Sequence, residues 1–218
     1  MDQLRQTNLR DQALAVLKNR LVSGDLAPGQ IYSATALATE LGVSNSPVRE
    51  AMLTLVNQGL METVRNRGFR VIPLSDREQE NVYDLRVMLE IPSMARLAAV
   101  QEVKDRKDWF SSIATEIVVA ARQGDIVAYL EADRRFHIGL IEVLGNGQLV
   151  GIVNNLRDQT RLFALKALSE QGVLVKSAEE HQPILDAIVE GDRKKTIALM
   201  TAHLQHVRGD WAVASQRK

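Results

Sequence analysis

One run, Leu41-Gly42-Val43-Ser44-Asn45-Ser46-Pro47-Val48-Arg49-Glu50-Ala51, constrains the fold of this chain more than any other segment. A glycine turn precedes a hydroxyl residue suited to cap a helix. Pro47 then falls in the first helical turn, where its missing N–H costs nothing. Arg49 leaves the opening turns of that helix beside two short polar side chains, Asn45 and Ser46. A helix that leads with small polar groups and one arginine is shaped to enter a DNA major groove end-first. There an arginine can donate two hydrogen bonds to O6 and N7 of guanine.

The flanking segments agree. Residues Asp11 to Val22 carry Leu14, Leu17, Leu21 and Val22 at helical spacing, and the turn residues from Gly24 to Gly29 stop that helix. Thr35 to Leu41 gives a short second helix with Leu37, Ala38 and Leu41 inward. After the third helix Gly59 acts as a stop. Met61 to Val64 and Gly68 to Ile72 then alternate around Arg65-Asn66-Arg67-Gly68, which predicts a two-stranded hairpin with a basic tip. Three helices and a basic hairpin make a winged helix-turn-helix. A lone helix-turn-helix with one arginine also occurs in domains that never touch DNA. Here helix order, turn, arginine and wing all point the same way.

These motifs, namely Pro28-Gly29, Leu37-Ala38, Leu41-Gly42-Val43-Ser44, Pro47-Val48-Arg49-Glu50-Ala51, Gly59-Leu60 and Arg67-Gly68, resemble the GntR family of bacterial transcription regulators. The resemblance implies a DNA-binding N-terminal domain on which Ser44, Asn45, Ser46, Arg49, Arg67 and Gly68 face a palindromic operator. Two departures stand out. The family often has arginine at the position of Asn45 and a charged residue at or beside Thr35. Fewer basic groups imply a different operator or weaker phosphate anchoring.

Composition narrows the class. The chain has 218 residues and 45% apolar content, enough for a sizeable core in one or two domains. It contains no cysteine, so disulfides and thiolate ligation are excluded. No apolar run approaches membrane-spanning length, and charged residues near the start oppose a signal peptide, so a cytoplasmic location is expected. Net charge is zero; residues 1–75 hold 8 Lys+Arg against 6 Asp+Glu, the remainder 19 against 21. So mild an asymmetry decides little, and the placement of the arginines counts for more.

Pro73-Leu74-Ser75-Asp76 marks the expected boundary, giving a DNA-binding domain over 1–74 and a second domain over 75–218. The second domain shows no strand. Its amphipathic stretches predict six helices: Asp76 to about Val100, Lys104 to Gln123, Asp125 to Val143, Gln148 to Leu168, Val173 to Val189 and Arg193 to about Ala212. In the first of these Val82, Leu85, Leu89, Ala95 and Ala99 are expected inward, with a bend before Pro92. Short loops imply an all-α antiparallel bundle, so the chain as a whole reads as mostly α.

The chain has four histidines, at 137, 181, 203 and 206. Asp133 and His137 lie one helical turn apart on one face, and Leu130, Phe136, Ile138 and Leu140 turn that helix toward the interior. His181 sits beside Ile184, Leu185 and Ile188; His203 sits beside Ile197, Leu199, Met200 and Leu204. One carboxylate and three imidazoles could thus converge in the core, a donor set that suits Zn²⁺, Ni²⁺ or a similar divalent ion. An Asp/His pair at this spacing is also a common surface ion pair, and His181 also fits a satisfied core histidine. The residues alone leave these readings open. His206 is the weaker candidate, expected at the surface.

The segments Asp84-Leu85-Arg86 with Leu89-Glu90, Asp133-Arg134-Arg135-Phe136-His137, Gly145-Asn146, Glu180-His181 and Ala202-His203-Leu204 resemble the FCD effector domain of the FadR-type branch of that family. The resemblance implies that Asp133, His137, His181 and His203 bind a divalent metal, zinc first, with nickel or manganese as alternatives. It further implies a small organic acid effector at the open coordination positions. Arg86 is the first choice for a second contact to the effector, a surface or Glu90-paired arginine being its other reading; Asn154, Arg157 and Arg161 are further pocket candidates. A homodimer whose DNA affinity changes with the effector, acting as a repressor, is the expected function. The rivals are a metal-dependent hydrolase, a metal-free ligand-responsive DNA-binding protein and an architectural DNA binder. The sequence has no His-Glu-x-x-His, nucleophile elbow or phosphate-cradling glycine loop, and no lysine-rich tail. No enzyme is expected.

Overall fold

The computed structural model describes residues 3–73, 75–161 and 173–215, with side chains described over 9–73, 75–159 and 174–206. The chain divides into two compact units, Met1–Ser75 and Asp76–Lys218.

The first unit holds α1 (Gln3–Ser23), β1 (Ile31–Tyr32), α2 (Ala34–Leu41), α3 (Asn45–Asn57), β2 (Met61–Val64) and β3 (Gly68–Val71). Helices α1 and α2 both pack on α3. Leu17, Leu21, Leu37, Val48, Met52 and Leu55 bury their side chains between them. The turn between α2 and α3 follows from one residue. Gly42 adopts φ +67°, a left-handed conformation open to glycine, and lets the Val43 N–H donate back to the Ala38 carbonyl at 3.0 Å. Two details differ from the sequence reading. Ser44 occupies the N-cap position of α3, yet its side chain makes no capping bond, whereas Ser33 does cap α2 by accepting from the Ala36 N–H. The sheet has three strands in the order β1-β3-β2, not two, because Ile31–Tyr32 pairs antiparallel with Arg70 and Phe69. Two residues are too few to show an alternation, so nothing in the pattern announced β1.

Among the described residues of the second unit, every regular element is a helix. The unit comprises α4 (Asp76–Leu97), α5 (Gln101–Asp105), α6 (Lys107–Gln123), α7 (Ile126–Glu142), α8 (Gly147–Arg161), α9 (Val173–Glu179), α10 (His181–Glu190) and α11 (Arg193–Ser215). The expected helices from Lys104 to Gln123 and from Val173 to Val189 are each divided, at Arg106 and at Glu180. The described part of the expected Gln148–Leu168 helix ends at Arg161, and 162–168 lie outside the described residues. Helix α7 is the centre: Phe136 to Ile141 are all buried, and it packs on α4, α6 and α8. Residues buried all round mark a core helix. Helix α4 continues through Pro92, where the Ser93 hydroxyl donates to the Leu89 carbonyl. Its buried face is Val82, Tyr83, Arg86, Glu90, Ser93, Met94 and Leu97. Leu85 and Ala99, expected inward, are exposed, as is Ile197 on α11. The reason is physical: α4 buries two charged residues on its inner stripe, so a stripe drawn through apolar residues alone is rotated by about one position.

Candidate DNA-contact face and metal centre

In the first unit a groove of about 540 Å³ lies between the start of α3 and the β2–β3 tip. Ser33, Thr35, Asn45, Arg49, Thr63, Arg65, Asn66, Arg67 and Gly68 line it together with Phe69. Of the residues expected to face DNA, Asn45, Arg49, Arg67 and Gly68 meet there. Ser44 and Ser46 are exposed at the same end of α3 but do not line the groove, and the Ser46 hydroxyl donates to Glu50 at 3.2 Å. The Arg49 guanidinium lies 6.0 Å from the Phe69 ring centroid, which ties α3 to the wing strand. Three arginines and no carboxylate among the described lining residues give the face a positive field suited to phosphate. Thr35 and Thr63 also line the groove. Neither was among the residues expected to face DNA, because a threonine carries no distinguishing signal in sequence.

Gly68 has a steric reason to be glycine. Its φ is +125°, and a Cβ there would stand 2.3 Å from the Tyr32 carbonyl oxygen. The third strand thus requires it.

In the second unit Asp133 and His137 from α7, His181 from the first position of α10 and His203 from α11 converge. One ligand atom from each lies within 4.8 Å of all the others, and all four residues are buried. His181 Nε2 is 3.1 Å from His137 Nε2 and 3.1 Å from Asp133 Oδ1; His137 Nε2 is 3.8 Å from the same oxygen. The three imidazole centroids stand 4.9–5.1 Å apart, and Phe136 packs edge-on against His137 and His181.

The hydrogen bonds outside the cluster test whether a cation fits inside it. His181 Nδ1 lies 3.0 Å from the Ala178 carbonyl and His203 Nδ1 lies 2.7 Å from Glu180 Oε2. Both partners only accept, so in the neutral rings Nδ1 carries the proton and Nε2 the lone pair. The His181 lone pair therefore faces a carboxylate oxygen and a second imidazole nitrogen at 3.1 Å. Two nitrogens bound to one zinc at about 2.0–2.1 Å stand roughly 3.0–3.4 Å apart. The donor set fits a borderline divalent ion. Burial and the Arg157 charge hold the His137 pKa well below its usual value, and burial lowers that of His203 to about 4. These rings are neutral at neutral pH, as ligands must be.

A chain of buried charges supports the cluster. Arg157 from α8 donates to Asp133 Oδ2 at 2.6 Å and also to Glu90 on α4, while Arg86 Nε donates to Glu90 Oε1 at 2.6 Å. Arg86, Glu90 and Arg157 are at most 1% exposed. Arg86 therefore takes the Glu90-paired geometry. Arg157 holds one oxygen of Asp133 and leaves Oδ1 for the cluster. Asn154 is half-buried, with its Oδ1 enclosed and without a hydrogen-bond partner among the described residues. The Arg161 side chain lies outside the described residues. His206 is exposed and bonds to Glu180. Glu180 adjoins His181 in sequence, which leaves its facing open; the break between α9 and α10 aims it at His203 on α11.

Residues 9–71 match the family described as bacterial regulatory proteins, gntR family, and residues 81–206 match the FCD domain. The chain belongs to the GntR family. It is 31% identical over 191 residues to the gluconate operon transcriptional repressor of Bacillus subtilis, covering 86% of this chain and 77% of that one. The corresponding repressor of Bacillus licheniformis is 28% identical over 200 residues, covering 88% and 81%. The solved structure of E. coli McbR/YncC superposes with a TM-score of 0.78 at 22% identity, covering 96% of this chain and 98% of that one. As a GntR-family member with an FCD domain, the protein is a DNA-binding transcription regulator and not an enzyme. No helix among the described residues is long and apolar enough to cross a membrane.

Proposed function

We propose that this regulator is a repressor whose operator affinity is set by a small carboxylate bound at a metal site in its helical unit. The observation that carries the reading is the buried convergence of Asp133, His137, His181 and His203. A divalent cation held by these four residues would supply uncompensated positive charge and exchangeable coordination positions, the chemistry that attracts a carboxylate. The surrounding charges agree. Arg86 and Arg157 are matched by Glu90 and Asp133, and the neutral histidines add none. Arg157, Arg86 and Asn154 are the proposed contacts for the rest of the effector, with Arg161 a further candidate. The relatives support both halves of the reading, since two of them repress an operon named for gluconate, itself a sugar carboxylate.

On the DNA side, Asn45, Arg49, Arg67 and Gly68 are the proposed operator contacts, with Ser44 and Ser46 at the helix start. Arg49 is the base-reading residue and Arg67 reaches the backbone or minor groove from the wing. A homodimer on a two-fold operator is the proposed assembly. Arg157 joins Asp133 to Glu90 on α4, the helix that follows the DNA-binding unit in the chain. An anion that draws Arg157 from Glu90 would shift α4, and this is the proposed route from effector to operator.

The test has two stages. Selection from random duplexes should yield one preferred sequence, whereas an architectural binder would yield none. Binding to that sequence is then measured with metal-loaded and chelator-stripped protein across a panel of organic acids. At least one acid should change the affinity of the loaded form by roughly 5-fold or more, the usual range of allosteric coupling. No response from any acid, or the same response after stripping, contradicts the metal-carboxylate reading.

A further inference from the structure

We propose that Glu180 is a positioning residue for the metal centre, holding the His203 ring in the tautomer and orientation that leave its Nε2 to the ion. The inference rests on the metal reading above and adds a residue to it.

Glu180 stands at the break between α9 and α10, in the N-cap position of α10. A residue there ordinarily turns its side chain back onto the first amides of its own helix. Glu180 does not; it makes no capping bond. Its carboxylate crosses to α11 instead, where Oε2 accepts from His203 Nδ1 at 2.7 Å and Oε1 accepts from His206. The two histidines lie three apart on α11 and differ sharply in exposure: the His203 side chain is 1% exposed, the His206 side chain 61%. Glu180 itself is 23% exposed. The carboxylate is thus a bridge between a buried ring of the cluster and a solvent-facing ring.

Three consequences follow for the centre. The proton of neutral His203 is fixed on Nδ1, so the lone pair is on Nε2. Rotation of the ring is blocked by a charge-assisted bond, and by the near-parallel stacking of His137 at 5.1 Å and 22°. The anionic acceptor also makes the ring a stronger base, and so a better ligand. His181 obtains its orientation differently, from a neutral carbonyl at Ala178. Glu180 is the charged member of these two supports.

The experiment compares the parent with Glu180→Gln and Glu180→Ala in the full chain. The glutamine keeps an acceptor near Nδ1 but removes the charge; the alanine removes both. Zn²⁺ affinity is measured by competition with a chromophoric chelator, Co²⁺ absorption reports the ligand field, and melting of the metal-free protein reports folding. The expected order of Zn²⁺ affinity is parent, then Gln, then Ala, the alanine being weaker by about 10–100-fold. The Co²⁺ spectrum shifts in both variants, while metal-free Glu180→Gln melts close to the parent. A His206→Gln variant, which leaves the Glu180–His203 bond in place, should keep the parental Co²⁺ spectrum. If parent, Gln and Ala bind Zn²⁺ within about 2-fold with identical Co²⁺ spectra, Glu180 does not position the ligand. If the parent itself takes up no Zn²⁺, the metal reading fails and this inference with it; the two failures differ in whether the parent loads.

Discussion

Glu90 offers a quantitative check on how the helical unit is held together. Its carboxylate meets Arg86 Nε at 2.6 Å and the Arg157 guanidinium on its other oxygen, with all three side chains at 1% exposure or less. Replacing Glu90 by alanine would remove the carboxylate that both buried guanidiniums meet, while Arg157 keeps its bond to Asp133. Removing one partner of a buried pair typically destabilises by about 3–5 kcal/mol, because the other charge stays desolvated and uncompensated. At roughly 2–4 °C per kcal/mol for a unit of this size, the transition of the helical unit should fall by about 6–20 °C. Glu90→Gln preserves volume and most contacts but not charge, so most of that loss should persist. The control is Glu179→Ala, which breaks the exposed Arg122–Glu179 pair, 63% and 52% exposed at 2.9 Å. There solvent screens the pair and the change should stay below about 1 kcal/mol. Circular dichroism melts and urea titrations in metal-free buffer measure all three, excluding stabilisation by bound ion. If Glu90→Ala and Glu179→Ala are equally mild, the buried-charge reasoning is wrong.

Three further outcomes are expected. Arg49→Ala should weaken binding to the selected operator by about 5–150-fold and relax preference at one base pair, as read by fluorescence anisotropy on matched and mismatched duplexes. Gly68→Ala should lower the melting temperature of the DNA-binding unit and its operator affinity together, since the added Cβ meets the Tyr32 carbonyl at 2.3 Å with φ at +125°; unchanged melting would show that β1 yields easily. For pH, the folded His203 pKa is about 4 and its ordinary value 6.5. Between these values the unfolded chain binds the extra proton, so metal-free stability should be level above pH 6.5 and fall as pH drops from 6.5 toward 4. Melting temperatures that rise over that acid interval would contradict neutral, buried histidines.

The local signals were the legible ones. Gly42, Pro47 and Gly59 act within a few residues of themselves, so the recognition helix could be placed from sequence to within a residue of α3. The metal-ligand candidates were legible too, because Asp133 and His137 share a helix face and the other two histidines adjoin apolar stripes. What the sequence hid depends on partners far along the chain. Arg86 and Glu90 sit on the inner face of α4 only because Arg157, 67 residues beyond Glu90, completes the charge balance. Apolar periodicity therefore placed Leu85 inside, where the structure exposes it at 47%. The break at Glu180 does carry a local signal, Pro183 in the first turn of α10, which has no N–H for the Glu179 carbonyl and opposes a continuous helix; what the sequence hides is where the Glu180 side chain then points. It is this break that carries a carboxylate to His203.

The central claim is that the four buried ligands hold one ion per chain. Metal-to-protein ratio by atomic emission on gently purified protein tests it directly, alongside His137→Ala and His181→Ala variants that remain folded. The ratio should be near one for the parent and near zero for the variants. A parent that is metal-free as purified and binds none of Zn²⁺, Ni²⁺ or Mn²⁺ on titration would contradict it.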